Sequence, residues 1–130
     1  MACSATPTQT PAFTPEGVTD WGPLAVIDEG AETIASASGG DGVLRIGQRC
    51  TTLVLSDGRE LALVWRNSQT QWVPPDRIVF DDIVSGRRLE LVDGDRVEVG
   101  GKEIVAAPWI SSPQAECPSE RFVVHTLTVP

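Results

Sequence analysis

Apolar runs in this chain are short, and Gly, Pro or Asp-Gly interrupts them every few residues, which leaves no stretch for an amphipathic helix of ordinary length. Such a pattern predicts strands. From the mid-twenties onward they are expected at 24–27, 43–46, 51–55, 61–65, 77–80, 88–92, 96–99, 103–107 and 122–129. Asp57-Gly58 sits between two strong runs and suits a tight hairpin, because both residues tolerate positive φ. Asp93-Gly94-Asp95 reads as a second reversal, leading into Arg96-Val97-Glu98-Val99, whose alternation buries Val97 and Val99. Gly100-Gly101 is expected to begin a further turn. Residues 29–38 have room for one helical turn at most, ended by Gly39-Gly40-Asp41-Gly42 as a loop.

Many short strands at regular spacing predict an all-β domain, a small antiparallel barrel of OB-like type, with a β-sandwich as the alternative. The chain length of 130 residues fits one such core over residues 17–130. Residues 1–16, MACSATPTQTPAFTPE, are Thr- and Pro-rich and bury too little to offset ordering entropy, so they are expected to be a disordered tether.

Cysteine placement bears on compartment. Cys50 and Cys117 lie far apart in strand-like surroundings, without CxxC or clustered histidines, and suit one disulfide better than a metal site. Two free buried thiols are the alternative. A bridge would close a loop of about 68 residues and restrict the unfolded chain by about 4 kcal/mol. Disulfides of this kind belong to oxidising compartments. Ala2-Cys3-Ser4, followed by a polar spacer, resembles the lipidation site of bacterial lipoproteins; the alternative is an incidental cysteine. The lipoprotein reading needs an apolar signal segment upstream of Cys3, which this sequence does not carry.

The series Gly42-Val43-Leu44-Arg45-Ile46-Gly47, Cys50, Leu61-Ala62-Leu63-Val64-Trp65, Asp93-Gly94-Asp95-Arg96-Val97-Glu98-Val99-Gly100-Gly101 and Cys117-Pro118 resembles small extracytoplasmic bacterial domains of lipoprotein type. The likeness covers about residues 42–125. It implies a β-barrel and an extracytoplasmic address, and no activity.

Charge narrows the partners. The net charge is -8, and residues 1–41 contribute six acidic groups and no basic one. A phosphate backbone or anionic lipid surface would repel such a chain, so nucleic acid is not an expected partner. No run reaches the roughly eighteen apolar residues of a membrane helix, so no span is expected beyond a lipid anchor on Cys3.

The chemical inventory favours no enzyme and no cofactor. His125 is the one histidine and lies in a terminal strand without a GxSxG elbow, which reads as structural or surface. Asp81 and Asp82 should point to opposite sheet faces, and Asp93 and Asp95 are explained by their turn, so neither pair suits glycoside chemistry or a calcium loop. The aromatic set is different: four tryptophans occur with no tyrosine. Trp65 reads as core. Trp72 and Trp109 fall near predicted loops and could stack on a ligand, with Arg66, Asn67 and Gln69 as polar neighbours; packing over the barrel ends is the alternative. The expected function is therefore a non-catalytic extracytoplasmic interaction or structural module with an unidentified protein or glycan partner. A carbohydrate- or peptide-binding module using these tryptophans is the alternative.

Overall fold

A computed structural model describes residues 20–29, 38–103 and 108–130 of the chain, and these contain strands and turns with no helix. The all-β expectation holds. Ten strands occur in order among the described residues: β1 (Ala25–Ile27), β2 (Ser38–Ile46), β3 (Thr51–Leu55), β4 (Glu60–Arg66), β5 (Thr70–Val73), β6 (Arg77–Asp82), β7 (Arg87–Leu91), β8 (Arg96–Glu103), β9 (Trp109–Ser111) and β10 (Arg121–Thr128). The predicted tether, with Cys3, and most of residues 29–38 and 103–107 lie outside the described residues.

Five strands close a ring of hydrogen-bonded pairings, β10-β8-β2-β3-β4 and back to β10. A three-strand meander whose third member meets the last strand in parallel has the Greek-key character of OB-like folds. Strands β1 and β9 extend the sheet from β4, and β5-β6-β7 form a second, three-stranded sheet.

Pairing is antiparallel except at β4, which pairs in parallel with both β1 and β10. The physical reason is burial on both faces. Leu63 and Trp65 enter the main core with Leu44, Leu53, Phe80 and Leu127, while Val64 packs on the opposite side with Ala25, Ile27 and Val123. A strand covered on both faces needs a continuous apolar run, and Leu61-Ala62-Leu63-Val64-Trp65 supplies one.

Two glycine-rich segments predicted as loop and turn are strand instead. Gly39 to Gly42 belong to β2, and Gly100-Gly101 lie within β8. Gly42 sits against the Val54 carbonyl and Gly101 against that of Val123, so closely that a Cβ at either position would collide with backbone. The ring's strands can approach this tightly only where no side chain intervenes. The two Asp-Gly reversals are as expected, with Gly58 at φ 91° and Gly94 at φ 95°.

The second sheet is fixed to the ring by Asp82. Its buried carboxylate accepts hydrogen bonds from the Thr126 hydroxyl at 2.5 Å, the Leu127 N–H at 3.1 Å and the Ser85 N–H at 2.9 Å. Burial pushes the Asp82 carboxyl up, but the donors at Ser85, Thr126 and Leu127 outweigh it and hold the group below its ordinary range. Its neighbour Asp81 points the other way and takes a two-pronged ion pair from Arg88, at 2.7 and 3.0 Å.

Candidate functional site at the β2–β3 loop

Cys50 and Cys117 are bonded, with Cα atoms 5.7 Å apart. Cys50 ends the loop between β2 and β3, and Cys117 lies in the long connection from β9 to β10. The exposed pair Arg49 to Glu116, at 3.1 Å, joins the same two segments. Within the loop, Gly47 N–H donates to the Cys50 carbonyl at 2.9 Å, closing a compact turn.

Open grooves lie on both sides of this loop, and Gly47 lines each of them. The first has a volume of about 390 Å³ and is walled by Trp72, Pro23, Pro75 and Ile46, with Asp76 at its edge. Trp72 reaches it from β5. Alternation along that strand places Thr70 and Trp72 on the side of Phe80 and Ile78, their pairing partners in the core. Trp72 stands near the strand end, so its ring packs on the core and also lines the groove. Gly22, at φ 57°, lies directly beneath the indole, where a Cβ would overlap the ring. Asp20 accepts the Gly22 N–H at 3.0 Å and so fixes the turn that carries Gly22.

The second groove, about 370 Å³, is polar, with Arg45, Thr52, Glu60 and Glu116 around the disulfide. Glu60 accepts the Thr52 hydroxyl at 2.8 Å and has no cationic partner among the described residues. Arg45 is occupied by Asp93 at 3.3 Å. Asp93 also accepts the Ile46 N–H at 2.7 Å; that bond, foremost, with help from Arg45, keeps its carboxyl below the ordinary range.

The predicted ligand-binding set is not brought together. Arg66, Asn67 and Gln69 are buried, so they do not form a polar face beside the tryptophans. Arg66 Nε donates to Gln69 Oε1 at 2.6 Å, and Gln69 Nε2 donates to the Asp81 carbonyl at 2.9 Å. Asn67 Oδ1 accepts the Glu29 N–H at 3.1 Å, and the Asn67 N–H donates to the Ile27 carbonyl at 3.0 Å. The Arg66–Gln69 turn thus ties β1, β6 and their surroundings together. Trp109 packs against Ala25, Ile27, Val64 and Val123 with Arg121 5.6 Å above its ring, away from the Trp72 groove. Both tryptophans stand at strand ends beside connections, Trp72 next to the last residue of β5 and Trp109 at the start of β9.

His125 is fully buried on β10, with Nε2 3.9 Å from the Glu29 carboxylate. Glu60 and Asp76, which line the grooves, carry no motif in the sequence, and Gly47 enters it only as the end of the Gly42–Gly47 series. The signal available for them was Cys50, because a bridge at the end of a short polar loop marks a surface held in one shape. Comparison with protein-family models, with curated proteins and with solved structures finds no match. Among the described residues no helix is long and apolar enough to cross a membrane.

Proposed function

We propose that the chain is a non-catalytic interaction module of an oxidising, extracytoplasmic compartment, with Cys3 as the lipid attachment point in its lipoprotein form. The observation that carries this reading is the Cys50–Cys117 bond. Cytosolic thiol pools keep such pairs reduced, so a bonded pair across this separation supports an extracytoplasmic address. The placement supports binding as well. In OB-like folds the loops after the first ring strand and before the last frame the ligand face, and the disulfide joins the corresponding segments here, after β2 and before β10. Alkylation of the natively produced protein before and after reduction tests the reading: both later cysteines should resist until reduced. Free thiols at Cys50 and Cys117 in native material would contradict it.

The alternative of a tryptophan-based binding module keeps support at one residue. Trp72 lines an open groove, whereas Trp109 is engaged with Arg121 and a small apolar cluster.

A further inference from the structure

We infer that the grooves on either side of the Gly47–Cys50 loop form one docking surface for an extended, proline-containing peptide that carries basic residues. This rests on the interaction-module reading and names its partner class. Trp72, Pro75 and Ile46, over the buried Pro23, offer the first groove apolar surface whose polar side chains are Gln48 and Asp76. A sugar ring placed there would meet only Gln48, Asp76 and the Trp72 N–H as side-chain hydrogen-bonding groups, while a proline ring needs none. Polyproline-type segments also keep their carbonyls free and lose little entropy on docking. Trp72 can serve one of those carbonyls, since its indole N–H is neither sealed in the core nor bonded to any described residue.

Charge selects the rest of the ligand. Asp76 edges the first groove, and Glu60 lines the second without a cationic partner among the described residues. Arg45, the basic group lining the second groove, is held by Asp93. A lysine or arginine in the peptide would supply the missing countercharge, and an acidic peptide would be repelled.

The test is calorimetric titration of the oxidised full chain with a lysine-flanked oligoproline peptide, its glutamate-flanked counterpart and a maltooligosaccharide. The lysine peptide should bind, with the glutamate peptide weaker by roughly tenfold or more. Trp72→Phe keeps an aromatic ring but removes the N–H, and should weaken binding by roughly tenfold. Because Trp72 also touches the core, the exposed changes Asp76→Lys and Glu60→Lys provide a second arm that spares packing; each should weaken the lysine peptide by about threefold or more. Equal binding of both peptides, indifference to the two charge reversals, or binding of the maltooligosaccharide alone would overturn the inference. A disulfide-bonded protein that ignores the lysine peptide overturns the peptide site and leaves the module reading standing, whereas free native thiols overturn the module reading itself.

Discussion

Two short connections in this molecule have similar composition and opposite fates. The turn from Arg66 to Gln69 and the loop from Gly47 to Cys50 are both polar and both join strands consecutive in the chain, the first linking the two sheets and the second linking the antiparallel pair β2 and β3. The first is swallowed by the structure, with Arg66 and Gln69 fully buried and bonded to each other and to the Asp81 backbone. The second stays at the surface, held by one covalent bridge and flanked by open grooves. Polar residues become scaffold where distant strands arrive to cover them, and become surface where a staple fixes the loop from outside.

The largest predicted effect separates the two modes of fixing. Replacing both bridge cysteines, Cys50→Ser with Cys117→Ser, should lower unfolding stability by about 4 kcal/mol, because the long closed loop regains its freedom in the unfolded chain. Denaturant titration reads this, and since the native loop keeps its turn bond and the Arg49 ion pair, the folded state should retain its strand content by circular dichroism.

Gln69→Ala probes the buried turn. It removes the acceptor for Arg66 and the donor to the Asp81 carbonyl, leaving buried polar groups unmatched, so a loss of about 2–3 kcal/mol is expected in the same titration. A loss under about 0.5 kcal/mol, the level of an ordinary surface change, would break the contrast drawn between turn and loop.

Asp82→Asn should cost about 2 kcal/mol by weakening the clamp between the second sheet and β10. It also has a pH signature. The Asp82 carboxyl is depressed in the folded protein, so the unfolded chain takes up its proton first as pH falls. Its stabilisation is therefore complete above the ordinary carboxylate range and is lost as pH drops below about 4 toward the folded value. Stability measured against pH should be flatter in that acid window for Asp82→Asn than for the natural protein.

Much of the architecture was legible because it rests on local chemistry. The span of β3, the Asp57-Gly58 and Asp93-Gly94 reversals, the Trp65 core position and the disulfide follow from alternation, turn preference and cysteine placement. What escaped depends on neighbours remote in sequence. Gly39 to Gly42 look like a loop in isolation, yet become strand because β3 and β8 approach too closely for side chains. Thr70–Val73 lies between Asn-Ser and Pro-Pro, turn chemistry that masks a four-residue strand. The continuous apolar run in β4 carried a signal for parallel pairing, and hairpin reasoning passed over it. At the site, nothing nearby in the chain covers Arg66, Asn67 and Gln69; their partners come from β1, β6 and β10.

Nitrogen–proton correlation spectra of the oxidised chain during addition of the lysine-flanked oligoproline test the division of labour most directly. Shifts should concentrate at the backbone amides of Gly47, Gln48 and Cys50 and at the Trp72 indole, while the amides of Arg66, Asn67 and Gln69 stay in place. Movement centred on the Arg66–Gln69 turn, with the Gly47–Cys50 loop unperturbed, would contradict the account.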